Sequence, residues 1–239
     1  MNVAQWPSDA KPWFGPLLAL LSALATWGLM QARHPFFVVS SEYDIGMGAS
    51  SDARLALDNQ TQIAGRRNAM LVFGLGGCLL GASLALITEG CCAMPKRILA
   101  GLAWGALWGA FTGFAASYAH AAFIPRGELP SVTTTGMSQA VAFGLLGAGL
   151  GGMVGGFQKS LKTIESNAVA ATIAGGGSGF LFAILVGFVA EAGNEPLLIP
   201  AGAIAQLLWL AIPLGAIGYS LSRPPKASPS EHAVEPVNL

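Results

Sequence analysis

The sequence RILAGLAWGALWGAFTGFAASYAHAAFIPR, residues 97–126, runs from one arginine to another with no charge between them. A membrane-spanning helix needs about 20 mostly apolar residues, because the hydrocarbon core is about 30 Å thick and an α-helix rises about 1.5 Å per residue. The stretch is longer than this and therefore predicts a transmembrane helix. It also has glycine at every fourth position from Gly101 to Gly113.

Five further stretches of the chain are free of charge and long enough to span a bilayer. They lie between Lys11 and Arg33, Arg67 and Glu89, Glu128 and Lys159, Glu165 and Glu191, and Glu195 and Arg223. Backbone groups in lipid must pair within their own segment, so each stretch is expected to be helical. We predict an all-α, polytopic membrane protein with about six transmembrane helices, near residues 12–31, 68–89, 97–119, 137–158, 168–190 and 201–221.

The composition agrees with a membrane protein and argues against other classes. Of the 239 residues, 53% are hydrophobic and 10% are charged, and the mean hydropathy is +0.59. Soluble domains carry about 25% charged residues, so a soluble globular enzyme is excluded. The formal net charge is zero, so there is no surplus of basic residues to bind phosphates and we expect no nucleic acid as a partner. The apolar composition makes the lipid bilayer the expected partner.

The spans divide the chain into four parts. We expect an N-terminal segment with the first span at residues 1–31, a short extramembrane segment at 32–67, a glycine-rich core of five spans at 68–221 and a disordered tail at 222–239. Within the extramembrane segment, Ser51 resembles the cap of a helical extension on or above the membrane surface. The first span has an alternative interpretation as a signal peptide, because Ala23-Leu24-Ala25 resembles a cleavage site.

Glycine spacing is the most informative pattern in the spans. The chain has 32 glycines, and residues four apart share one helix face, so these glycines form grooves free of side chains. Small residues allow the close contact through which helices associate in lipid, so we predict glycine-zipper packing. The alternative is that a glycine face lines a solute pathway. The predicted packing residues are Gly77, Gly81, Gly101, Gly105, Gly109, Gly113, Gly147, Gly151, Gly155, Gly175 and Gly179.

The chain also aligns with itself, without a gap, when Phe73 is placed on Phe143. Phe73-Gly74-Leu75 then matches Phe143-Gly144-Leu145, and Gly105 matches Gly175 in the following helix. We interpret residues 68–119 and 138–189 as two copies of one helix hairpin, related by an axis along the membrane normal. Chance alignment of glycine-rich segments is the alternative.

Reactive groups are scarce in the spans. None has an ionisable residue away from its ends, the three cysteines lack a metal-ligand spacing, and His34, His120 and His232 are scattered. We expect no catalytic residue, no cofactor and no metal, and we expect Gln206 to bond between helices.

One short motif resembles that of an enzyme family. Gly176-Gly177-Ser178-Gly179 resembles the Gly-x-Ser-Gly motif of the rhomboid intramembrane proteases, in which a histidine on a later span activates the serine. Residues 201–221 contain no histidine. We therefore expect Ser178 to be structural.

Lysine and arginine near the span ends set the expected orientation. Seven lie on the side of the termini and five on the other side, so we expect an integral protein of the bacterial cytoplasmic membrane with both termini cytoplasmic.

The function expected from these patterns is non-enzymatic. The protein would be a structural or assembly subunit whose glycine-faced helices pack with each other, with partner membrane proteins or with a second copy. A small-solute channel or uncoupled transporter subunit is the alternative. An enzyme would require surface groups such as Arg66, Arg67, Glu89 or His120 to converge.

Overall fold

The structure, a computed structural model, describes residues 11–40, 50–89, 95–123, 131–189 and 198–222. The predicted tail at 222–239 lies almost wholly outside these residues. The described chain forms six α-helices. They are α1 (Lys11–Arg33), α2 (Ser51–Glu89), α3 (Pro95–Phe123), α4 (Val132–Phe157), α5 (Leu161–Val189) and α6 (Ala203–Ser222).

All six helices are long and apolar enough to cross a membrane, which confirms the prediction of an all-helical chain with six candidate spans. Helix α2 is the longest, with 39 residues. At about 1.5 Å per residue it is about 58 Å long, roughly twice the thickness of a hydrocarbon core. Its N-terminal half therefore extends past the other spans at one end of the bundle.

The helix that follows the first loop is capped differently from the prediction. The hydroxyl of Ser50, not of Ser51, accepts the hydrogen bond of a first-turn amide, that of Ala53, at 3.3 Å. The main-chain oxygen of Ser50 also accepts from the Arg54 amide at 3.1 Å. Ser51 is already the first helical residue, so the prediction was wrong by one position.

The six helices form three antiparallel pairs: α2 with α3, α4 with α5, and α1 with α6. Helices α2, α4 and α6 contact one another and are the inner helices, whereas α1, α3 and α5 are the outer helices. Each outer helix also contacts the inner helix of one neighbouring pair. The α1–α6 pair joins the first and last described helices, so the three pairs close into a ring.

Helices α2 and α3 meet along a row of glycines that we call the α2–α3 seam: Gly77 and Gly81 on α2, and Gly101, Gly105, Gly109 and Gly113 on α3. A Cβ placed on Gly105 would overlap the carbonyl oxygen of Gly77, and one on Gly109 would overlap that of Phe73. A Cβ on Gly113 would overlap the carbonyl oxygen of Ala69. Main-chain atoms thus touch main-chain atoms over four successive turns.

The other two pairs use the same kind of contact. On α4, Gly147, Gly151 and Gly155 lie against main-chain atoms of α5, while Gly175 and Gly179 on α5 lie against the carbonyl oxygens of Phe143 and Gln139. Gly15 of α1 and Gly218 of α6 meet each other. Every pair therefore has at least one place where a methyl group would not fit.

The two central hairpins differ in register by one helical turn. The sequence alignment that places Phe73 on Phe143 also places Gly109 on Gly179. In the structure Phe73 lies opposite Gly109, but Phe143 lies opposite Gly175, one turn before Gly179. The contacts of α5 with α4 are therefore shifted by one turn relative to those of α3 with α2.

Three aromatic rings, one from each inner helix, meet in the middle of the bundle. Phe73, Phe143 and Trp209 have pairwise centroid distances of 5.3 to 5.4 Å. All three side chains are buried. Because edge-to-face and tilted contacts fill space tightly, this trio closes the centre of the bundle.

The first two pairs are joined by tryptophans of α3. The indoles of Trp104 and Trp108 stack at 6.0 Å and donate hydrogen bonds to the carbonyl oxygens of Gly149 and Leu145 on α4, at 3.0 and 2.7 Å. The indole of Trp108 occupies the space that a Cβ on Gly149 would need. A large residue on one helix thus fills the gap that a glycine leaves on the next.

The seam predicts a sharp difference between two glycine-to-alanine changes. Gly109→Ala should lower the melting temperature in detergent, because overpacking a tight contact costs about 1–3 kcal/mol. Gly152→Ala should leave it unchanged or raise it slightly, because a Cβ there meets nothing within 4 Å and alanine favours the helix. Equal melting temperatures for the two variants would contradict the packing role of Gly109.

Candidate functional site

A cavity of about 970 Å³ opens at the end of the bundle where α1 and α3 end and α6 begins. We call it the distal cavity. Four parts of the chain form it: the end of α1 with the segment after it, the protruding part of α2, the last turns of α3, and the segment that leads into α6. The residues that line it include Gln31, His34, Phe37, Val38, Gly65, Arg66, Asn68, Tyr118, His120, Leu198, Ile199, Pro200 and Gln206.

Arg66 supplies a positive charge to the cavity. Its Cζ lies 4.1 Å from the centroid of the Tyr118 ring and 5.8 Å from that of Phe114. A cation–π interaction with these rings holds the guanidinium next to α3. Its Nε is buried and has no hydrogen-bond partner among the residues that the structure describes.

Two histidines line the same cavity. The Nδ1 of His34 is buried and has no partner among the described residues, and burial lowers the pKa of His34 below its ordinary value because it disfavours the charged imidazolium. The Nδ1 of His120 lies 3.2 Å from the hydroxyl of Ser138. The prediction that the histidines are scattered was wrong for His34 and His120, which line one cavity; His232 lies outside the described residues.

Amide side chains close the cavity toward the bundle centre. The Nε2 of Gln31 donates to the Oε1 of Gln206 at 2.7 Å, and the Nε2 of Gln206 donates to the carbonyl oxygen of Pro200 at 2.8 Å. Gln206 thus bonds between α6 and α1, as the sequence predicted. Such bonds satisfy polar groups that would otherwise be costly to bury.

A second glutamine extends these hydrogen-bonded amides into a polar layer. Gln139 donates from Nε2 to the carbonyl oxygen of Leu198 at 2.8 Å and accepts from the indole of Trp209 at 2.7 Å. Trp209 belongs to the aromatic trio, so the polar layer rests directly on the closed centre. The distal cavity therefore ends at this layer.

The segment after α1 is fixed to α2 by one side chain. The Oδ1 of Asn68 accepts from the Phe37 amide and its Nδ2 donates to the Phe37 carbonyl oxygen, both at 2.9 Å. One asparagine therefore satisfies both main-chain groups of Phe37. This pairing holds residues 34–40 as a wall of the cavity.

Of the surface groups singled out from the sequence, the structure brings together only some. Arg66 and His120 line the cavity. Arg67 does not line it and lies with its Cζ 5.9 Å from the Phe37 ring. Glu89 ends α2 at the opposite end of the bundle. Asn68 was not predicted from the sequence, where its signal is a single polar residue at the start of an apolar run.

Two buried serines, Ser178 of the Gly-x-Ser-Gly motif and Ser138, donate hydrogen bonds to carbonyl oxygens of their own helices. Ser178 is buried, and its hydroxyl donates to carbonyl oxygens of its own helix, to Ala174 at 2.5 Å and to Gly175 at 3.0 Å. Ser138 is fully buried, donates to the carbonyl oxygen of Thr135 at 2.8 Å and lies 3.2 Å from the Nδ1 of His120. Among the described residues no three His, Cys, Asp or Glu side chains lie close enough to hold a metal ion.

Comparison of the chain with known protein families, with curated proteins and with solved structures gave no match. The interpretation therefore depends on the geometry of this chain. That geometry is a one-sided cavity with a cation, two imidazoles and several amides, and no carboxylate lines it within the described ranges.

The lowered pKa of His34 makes stability depend on pH in a definite direction. The unfolded chain takes up a proton on this imidazole as the pH falls through about 6.5, whereas the folded chain resists protonation. Stability should therefore fall as the pH drops from 7.5 to 5. In His34→Gln the fall in detergent melting temperature over this range should be smaller than in the wild type. If the melting temperature of His34→Gln falls as much as that of the wild type between pH 7.5 and 5, His34 does not contribute to the pH dependence of stability.

Proposed function

We propose that the protein is a non-enzymatic integral membrane protein that acts as a structural or assembly subunit, with helices held together by glycine-zipper packing. The observation that carries the proposal is the apposition of glycines and carbonyl oxygens in all three helix pairs. Helices in lipid gain little from burying apolar surface, so close main-chain contact is a main source of their association. A rigid, closely packed scaffold is what such contacts produce.

The alternative is a small-solute channel or uncoupled transporter subunit, and the described geometry favours it less. A pathway along the bundle axis would have to pass the trio of Phe73, Phe143 and Trp209, whose rings are in mutual contact. The glycines proposed to line such a pathway face main-chain atoms of partner helices instead. Both observations support packing over conduction.

We also propose that the α2–α3 and α4–α5 hairpins arose by duplication. Phe73 and Phe143, which the sequence alignment of the two hairpins pairs, occupy equivalent places in the aromatic trio. The two inner helices run in the same direction, as a repeat about the membrane normal requires. The one-turn difference in register is compatible with duplication, because small residues spaced four apart allow a helix to pack one turn further along its neighbour.

Glycines whose Cβ position meets no neighbour among the described residues provide a test of the assembly role. A Cβ on Gly152 or Gly156 of α4 meets nothing within 4 Å. If this face packs against a partner protein or a second copy, Gly152→Leu should dissociate the assembly in native mass spectrometry from membranes. The melting temperature of the isolated chain should stay within a few degrees of that of the wild type, because no internal contact changes.

The same preparations distinguish the scaffold from the channel. Liposomes that contain the purified wild-type protein should be no more permeable to small polar solutes than protein-free liposomes. A monomeric wild-type protein that conducts such solutes would contradict the assembly role and establish the channel.

For the location we propose the bacterial cytoplasmic membrane with both termini cytoplasmic. The support is the bias of seven basic residues against five, which the positive-inside rule associates with the cytoplasmic side. In a background without native cysteines, Ser131→Cys should react with an impermeant thiol reagent added to cells with a permeabilised outer membrane. Gln158→Cys should be protected. Both positions are exposed and lie at opposite ends of α4, so the reverse pattern would invert the topology.

A further inference from the structure

We propose that the distal cavity binds an amphiphilic anion, a phosphate or carboxylate head joined to an apolar tail, with Arg66 holding the head. This inference is independent of the assembly role, because it concerns the cavity and not the glycine faces. It rests on three features of the part of the cavity that the structure describes: a cation whose Nε has no partner there, an imidazole nitrogen of His34 that also has none, and apolar walls around a volume much larger than an inorganic anion.

The cation is the first feature. A guanidinium at the level of the last turns of membrane helices is partly removed from water, and its positive charge then favours an anionic partner. None of the lining residues within the described ranges is Asp or Glu, and the Nε of Arg66 has no partner there. The planar fork of an arginine matches the oxygens of phosphate or carboxylate, so the missing partner is best supplied by such a group.

The neighbouring groups leave few other donors for a ligand. The amides of Gln31 and Gln206 are committed to each other and to Pro200, and Asn68 is committed to Phe37. His34 retains an unpartnered Nδ1 in the same cavity. Arg66 and His34 are thus the lining side chains whose buried nitrogen atoms lack partners in the described chain.

The walls indicate what is attached to the head. Apolar side chains line much of the cavity, among them Phe37, Val38, Leu198 and Ile199, and Val38 is 75% exposed. A volume of about 970 Å³ is at the upper end of the roughly 300–1,000 Å³ typical of pockets for drug-sized ligands. A bare phosphate would leave these walls in contact with water, whereas an apolar tail covers them.

The place of the cavity fits the same chemistry. It lies where α1 and α3 end, next to the last turns of helices that are apolar enough to cross a membrane. Polar heads and acyl chains meet at this depth in a bilayer. A membrane lipid and an amphiphile from solution would present the same anionic head and apolar tail.

The test uses the full chain in a neutral detergent, with monododecyl phosphate as the probe and thermal stability as the measurement. A ligand that binds only the folded state raises the melting temperature in a saturable way. Dodecanol should not reproduce this effect, because it lacks the charge. Arg66→Gln should raise the half-saturating probe concentration roughly tenfold or more, because hydrogen bonds to charged groups contribute that much.

Arg67→Gln is the matched control. Arg67 precedes Asn68 on the same helix but does not line the cavity, so its loss should change the half-saturating concentration by no more than about threefold, as for an exposed charge. Equal weakening in the two arginine variants would overturn the proposal, as would equal stabilisation by dodecanol and dodecyl phosphate.

A second pair of variants keeps the test independent of any folding defect in Arg66→Gln. A Cβ on Gly65 or on Gly28 meets nothing within 4 Å, but only Gly65 lines the cavity. Gly65→Leu should weaken binding of the probe, because the side chain narrows the cavity, whereas Gly28→Leu should not. Unchanged binding in Gly65→Leu together with unchanged binding in Arg66→Gln would refute the site.

Two further arms identify the source of the ligand. Stabilisation in nanodiscs that contain phosphatidylglycerol, but not in nanodiscs of phosphatidylcholine alone, would support a lipid as the natural occupant. Competition by a soluble short-chain carboxylate or phosphate amphiphile, with no effect of phosphatidylglycerol, would support a solute. If inorganic phosphate binds as tightly as dodecyl phosphate, the apolar tail contributes nothing to binding and the proposal is overturned.

Discussion

Main-chain contact at glycine is the interaction on which the rest of the structure depends. In water the burial of apolar side chains would bring these helices together, but in lipid that driving force is largely absent. Attraction then depends on how many atoms approach closely, and a helix without side chains on one face approaches most closely. The contacts of Gly105 with Gly77, and of Gly175 with Phe143, are of this kind and mark the turns at which the paired helices meet.

The ring of three pairs follows from this constraint and from the placing of large residues. Each pair has one inner helix, and each inner helix sends one aromatic side chain to the centre, where Phe73, Phe143 and Trp209 fill the space. Between pairs the contact is different, because a tryptophan fits over a glycine and donates to a helix carbonyl. Close seams within pairs and interlocking side chains between them make one closed bundle.

The sequence predicted the number and class of the helices well, because the thickness of a bilayer sets the length of an uncharged stretch. It predicted the interhelical bond of Gln206 for the related reason that an amide in lipid must find a partner. It did not predict the distal cavity. His34 and His120 are far apart in the chain, and only the ring closure of α1 against α2 and α6 brings His34 to the end of α3. The one-turn difference between the hairpins was hidden in the same way, because the alignment of Gly109 with Gly179 does not determine which turns of the two helices meet.

The scaffold and the proposed site are connected by the residue at which the α2–α3 seam ends. Gly113 against Ala69 is the last main-chain contact toward the cavity, and Arg66 lies one turn further along α2, where it meets the rings of Phe114 and Tyr118 instead of main-chain atoms. The distance between packed helices depends on the side chains at their contact. At this level bulky rings and a guanidinium take the place of the contacts between glycine and main chain that form the seam. The distal cavity thus lies next to the end of the glycine seam, and Arg66, the residue proposed to hold an anion, lies one turn from the last of the seam's contacts.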